Sequence, residues 1–135
     1  MTKEEKITLI KFRMERANES LKAAELMLKN KYYVSAMNRI YYSMFYSVQA
    51  ILVINETSFS THGQVKGFFN REYIKTGIFP KDFGKLFNTV FEYRQKFDYV
   101  DLIIPEEKLI SDYLAEAKRF IENISKYLED KLTLQ

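Results

Sequence analysis

The chain has 135 residues, 47% of them hydrophobic and 29% charged, with a formal net charge of +3, 4 Gly, 2 Pro and no Cys. That length suits one domain with a genuine core, the scarcity of Gly and Pro suits long helices joined by short turns, and the lack of Cys removes disulfide frameworks, thiolate metal sites and thiol nucleophiles. The net charge is too small to announce nucleic-acid binding, and the opening MTKEEKITLI has acidic residues but no apolar run of signal-peptide length, so a cytoplasmic chain without an export segment is expected.

The residues predict an all-α fold: a single helical domain over residues 1–135 with about five helices. Thr2 and Glu5 form a possible capping box, after which Ile7, Ile10, Met14, Ala17, Leu21, Ala24 and Leu28 recur at gaps of three and four. Asn30 can adopt a left-handed cap, which would fold this first helix back on the second as an antiparallel hairpin.

Tyr32 to Ile54 reads YYVSAMNRIYYSMFYSVQAILVI, with apolar or aromatic groups on nearly every face, the pattern of a helix surrounded by others. A membrane span is disfavoured because Asn38, Arg39 and Gln49 lie inside it, and an Arg near a bilayer centre costs about 2.5–3.5 kcal/mol. Ser35, Arg39, Ser43 and Ser47 recur at i+4 as a seam of small and polar groups. Arg39 among aromatics must find a carboxylate, carbonyls or a ring face.

Thr61 with Gln64 makes a second capping box, opening a helix through Val65, Phe68, Phe69 and Tyr73 toward Lys75, with Gly77 as its stop. Pro80 fits the first position of a fourth helix, whose stripe holds Phe83, Phe87, Val90, Arg94 and Phe97. The pattern breaks from Asp98 to Ile104. Pro105 can open a fifth helix, its dry face formed by Ile110, Tyr113, Leu114, Ala117, Phe120, Ile121, Ile124 and Leu128. Between Ser60 and Phe97 there are seven Lys or Arg against three acids, so this segment is basic while the remainder is nearly neutral.

With one His, no Gly-rich phosphate loop and no His-Glu pair at metal spacing, neither a metal site nor a cofactor is expected. Three places remain for chemistry: Arg39 with Tyr41 and Tyr42, His62 in the first turn of the third helix, and Arg94 with Asp98 and Tyr99. Each has a plainer reading. Arg39 could be a core guanidinium packed on tyrosines, His62 part of capping chemistry, and Arg94 with Asp98 an i,i+4 ion pair worth a few tenths of a kcal/mol. An ion pair alone does not explain why Arg94 occupies a dry stripe, whereas a phosphate-holding site at a groove or dimer seam would require a cation there.

Four stretches carry a resemblance: Asn-Arg-Ile-Tyr-Tyr-Ser-Met-Phe at 38–45, Thr-His-Gly at 61–63, Phe-Asn-Arg-Glu-Tyr-Ile-Lys-Thr-Gly at 69–77, and Arg94 with Asp98 and Tyr99. In these the chain resembles HEPN-domain proteins (higher eukaryotes and prokaryotes nucleotide-binding), in particular a small prokaryotic branch similar to the toxin component of HEPN/nucleotidyltransferase toxin-antitoxin pairs. The resemblance implies an up-and-down helical bundle, often a homodimer, with a nucleotidyltransferase antitoxin as partner, and RNA or a nucleotide as ligand. Many relatives are metal-independent endoribonucleases whose motif is an Arg, four to six residues and a His, brought together across the dimer. Arg94 matches the Arg. Tyr99, Val100 and Asp101 stand where the His is expected, and Tyr has a reference pKa of about 10, which makes it a poor base at neutral pH.

The first functional expectation is therefore a toxin-like RNase or RNA-binding protein, in which Arg94, Tyr99 and His62 are the candidate catalytic residues and Arg39, Tyr42 and Asp98 the candidate substrate-binding ones. The alternative is a non-catalytic nucleotide- or partner-binding module, favoured by the missing His and by the acidic run Asp98, Asp101, Glu106 and Glu107. A plain structural dimer is the third. Eleven Phe and ten Tyr exceed what a small bundle readily hides, which predicts a self-complementary patch and a homodimer.

Overall fold

A computed structural model describes residues 1–100 and 103–134. Among the described residues all regular structure is helical: α1 (Lys3–Lys29), α2 (Tyr33–Ile54), α3 (His62–Phe69), a π-helical turn (Asn70–Ile74), α4 (Lys81–Tyr99) and α5 (Glu107–Leu134). The chain is an all-α bundle built around α2, which packs against α1, α3, α4 and α5. No described helix is long and apolar enough to cross a membrane.

The composition of α2 explains its central place. Met37, Ile40, Tyr41, Met44, Val48 and Ile51 are buried, as are residues on its other faces. Burying side chains of this kind stabilises by roughly 1.5–3 kcal/mol each. Within the polar seam, Ser43 and Ser47 are fully buried, and each hydroxyl donates back to the carbonyl three residues earlier, Ile40 O at 2.7 Å and Met44 O at 2.6 Å. Buried hydroxyls are thus satisfied within their own helix. The other end of the seam lies nearer the surface, with Ser35 exposed and Arg39 half-buried, so Arg39 is not the core guanidinium considered above.

Helix α1 buries Ile10, Ala17, Ser20 and Ala24, and these small residues let it lie close to a neighbour. Its pairing with α2 is antiparallel: Lys6 meets Glu56, Arg13 Nη1 donates to Gln49 O, and Arg16 Nη2 donates to the Tyr46 hydroxyl, one number rising as the other falls. The left-handed residue at this corner is Lys31 (φ 65°), whereas Asn30 stays at φ −92° because its side-chain amide donates to Leu26 O. Lys31 N–H bonds Leu28 O and Tyr32 N–H bonds Met27 O, the two-bond Schellman closure. The end of α2 repeats it, with Glu56 at φ 50° and bonds from Glu56 N–H to Val53 O and Thr57 N–H to Leu52 O.

The capping box at Thr61 and Gln64 forms in full, but at Thr2 only the bond from Glu5 N–H to the hydroxyl is made. The helix expected to run on to Lys75 changes at Asn70 into a π turn, closed by Lys75 N–H to Asn70 O at 2.9 Å. At this turn the Tyr73 hydroxyl accepts from Asn55 Nδ2 at 2.6 Å, fastening the turn to the end of α2. Gly77 ends the segment with φ 78°. Pro80 stands just before the first residue of α4, whereas Pro105 precedes α5 by two residues, so neither occupies the first helical position itself. Helix α4 runs to Tyr99, so the expected break begins later than Asp98. A ring cluster of Phe69, Phe79, Phe83, Phe87 and Phe120 joins α3, α4 and α5, with Phe83 and Phe120 centroids 4.9 Å apart.

Candidate functional site

Three elements meet around Tyr41 and Tyr42. Helix α2 contributes Arg39, Tyr41, Tyr42 and Phe45; the start of α3 contributes His62; α4 contributes Phe87, Phe91, Arg94 and Asp98. The Thr61 capping box fixes His62 in the first turn of α3, where its ring stacks on Phe45 at 4.5 Å and on Phe91 at 5.7 Å. Its Nδ1 shares a hydrogen bond with the Tyr41 hydroxyl. Burial, and then the nearby Arg94 charge, lower the His62 pKa below the ordinary imidazole value. The helix dipole works in the same direction, so the ring is neutral at pH 7. Burial pushes the Tyr41 phenol well above its ordinary value, which keeps its proton in place.

Arg94 sits on the dry stripe as the heptad spacing implied, with its side chain 17% exposed between buried Val90 and Phe97. The guanidinium lies 5.3 Å from the Tyr42 ring centre and 5.8 Å from that of Tyr41, and Nη2 donates to the Tyr42 hydroxyl at 3.3 Å. Its Nε is 3.3 Å from Asp98 Oδ2, within ion-pair range, yet this buried donor lacks a partner in hydrogen-bond geometry. Among the described residues, its five donors are therefore served by one long hydrogen bond and one misaligned carboxylate. Such a group has capacity for a bidentate anion. Arg39 approaches the same Tyr42 ring at 5.3 Å and is held by Asn38 Oδ1, which accepts from its Nε and Nη2 at 3.2 and 2.7 Å.

The fold thus gathers Arg39, Tyr42, His62, Arg94 and Asp98 in one neighbourhood and leaves Tyr99 out. Tyr99 is the last residue of α4 and is 75% exposed. Asp101 lies outside the described residues. Sequence reasoning missed Phe45, Phe91 and Lys66. Lys66 Nζ lies 5.7 Å from the Phe91 ring centre and donates to Asn88 Oδ1 at 2.6 Å. The available signals were spacings: Lys66 follows His62 by one helical turn, and Phe91 precedes Arg94 by three residues.

An all-α bundle here carries a partly committed Arg beside a neutral His on a platform of two tyrosine rings. The chain belongs to the HEPN-domain family, whose model matches residues 10–128. It is 44% identical over 93% of its length to a UPF0332 protein of Thermotoga maritima, with 96% of that protein covered. It is 36% identical to "Putative toxin MJ0142" of Methanocaldococcus jannaschii over 90% of the chain and 83% of the relative. A second protein of that organism, "Putative toxin MJ0605", is 29% identical over 88% of each chain.

Proposed function

We propose that this HEPN protein is a toxin-type endoribonuclease in which Arg94 holds the scissile phosphate and His62 takes the place of the histidine missing after Arg94. The observation that carries the reading is the neutral His62 beside a half-buried Arg94 whose buried Nε has no hydrogen-bond partner among the described residues, on the shared rings of Tyr41 and Tyr42. With its proton on Nδ1 and donated to the Tyr41 oxygen, His62 keeps a lone pair on Nε2. That atom accepts the proton of a ribose 2′-hydroxyl, the 2′-oxygen attacks phosphorus, and the bond to the 5′-oxygen breaks as that oxygen takes a proton from solvent water. The products are a 2′,3′-cyclic phosphate and a 5′-hydroxyl. Arg94 balances the charge gathering on the phosphate oxygens, while Tyr42 and Arg39 position the strand and Asp98 aligns Arg94. A homodimer and a nucleotidyltransferase antitoxin belong to the same reading; co-purification with the product of a neighbouring nucleotidyltransferase gene tests the second.

The test is cleavage of varied RNAs in EDTA. Wild type cuts, Arg94→Ala loses roughly 100-fold or more, and Tyr99→Phe keeps its rate because Tyr99 stands apart from the cluster. Absence of cleavage across all RNAs overturns the nuclease reading. One observation favours a second reading, a non-catalytic phosphate-binding module: His62 is already engaged by Tyr41 and stacked between Phe45 and Phe91. In that case RNA binds through Arg94 and remains intact.

A further inference from the structure

The basic excess between Ser60 and Phe97 is only partly used by the Arg94 site. Lys66, Arg71, Lys75, Lys81 and Lys85 line one open groove between the α3–π segment and α4, and no Asp or Glu is among its lining residues. Arg71 pairs with its neighbour Glu72 at 3.0 Å, both exposed, whereas the four lysines form no ion pair among the described residues. Gly84 forms part of the groove, and a Cβ there would come 2.5 Å from Asn70 Oδ1, so the Asn70 side chain takes space that any larger residue on α4 would claim. Arg71 with Lys75, and Lys81 with Lys85, are each one helical turn apart and rise along the two walls.

The groove also leads somewhere. Lys66 lines both it and the small enclosure formed with Tyr41, His62, Phe87 and Phe91. Cations alone suffice to hold a phosphate backbone, whereas a protein partner needs a central apolar or aromatic anchor. The groove lining has no aromatic residue and only Ile74 as a large aliphatic one. A positive channel ending on aromatic rings is the arrangement that tracks a single strand.

We propose that this groove holds the phosphate backbone of single-stranded RNA on its way to the His62–Arg94 cluster, an inference that rests on the RNA reading above but not on cleavage. The test uses the full chain and a 2′-O-methyl oligonucleotide, which lacks the attacking hydroxyl, with binding followed by fluorescence anisotropy in EDTA across a NaCl series. The triple change Lys75→Glu, Lys81→Glu, Lys85→Glu is expected to weaken binding at least about tenfold and to reduce the salt slope by about 2, at about 0.7 per lost phosphate contact. The corresponding three Lys→Gln changes give a smaller loss in the same direction. Charge reversal at Lys11, Lys22 and Lys29, exposed on α1, matches the change in net charge and leaves the slope near wild type. Equal losses from both triple variants, unchanged affinity in the groove variants, or no binding by wild type overturns the proposal. If ordinary RNA is cut by a groove variant that binds like wild type, the groove fails while the nuclease reading stands; groove-dependent binding without cleavage gives the reverse. Loss of an acidic protein partner with RNA affinity unchanged also counts against it.

Discussion

His62 owes its chemical state to three independent influences. Its ring lies between Phe45 and Phe91, it occupies the positive end of α3, and Arg94 is near enough to disfavour a second cation. All three lower its affinity for a proton, and none came from the motif to which Arg94 belongs. The sequence made Arg94 legible because a cation on the stripe of Phe83, Phe87, Val90 and Phe97 has no packing explanation. It left the role of His62 open because the 31 residues between His62 and Arg94 carry no spacing rule. Their meeting is a tertiary event, created by α2 placing Tyr41 and Tyr42 between them. Tyr99 was the reverse case: five residues after Arg94 in the sequence, it is turned out to solvent.

At the scale of elements, the helices were readable from apolar periodicity and their ends were not. Both α1 and α2 close by Schellman turns on charged residues in the left-handed region, Lys31 and Glu56, where sequence rules look for Gly or Asn. The π turn at Asn70 is equally silent in sequence, since no residue type marks an i→i+5 turn in advance. A testable consequence follows at Lys31, which is exposed and has no ion pair among the described residues. A left-handed non-glycine residue costs roughly 1–2 kcal/mol, and glycine gives back about 0.5–1 kcal/mol of that through its own chain entropy. Lys31→Gly is therefore expected to stabilise by about 0.5 kcal/mol and raise Tm by about 2 °C; a fall in the calorimetric Tm would show that the turn is unstrained.

For the whole molecule, the abundance of aromatics turns out to be a weak argument for assembly. Of the 21 Phe and Tyr residues, only Phe12, Tyr32 and Tyr99 are largely exposed, the rest being buried or half-buried within one chain. Among the described residues, Tyr99 and Val100 at the end of α4 are exposed apolar groups close to Arg94 in the chain, as Phe12, Leu26 and Tyr32 are exposed elsewhere. We propose that Tyr99 and Val100 close against their copies about a two-fold axis, bringing two Arg94 sites to one seam. Light scattering at micromolar concentration is expected to give about twice the 16.1 kDa of the chain, and a strict monomer would confine the site to a single bundle.

The central claim is that a neutral His62 serves as base beside Arg94, and the pH dependence of RNA cleavage in EDTA tests it most directly. Only the unprotonated ring accepts a proton, and its pKa is displaced downward from 6.5. The rate of wild type is thus expected to rise with pH through a midpoint below 6.5 and to level off above it, while His62→Gln loses both the step and most of the rate. Cleavage that is absent at every pH, or a profile that His62→Gln leaves unchanged, would contradict the account.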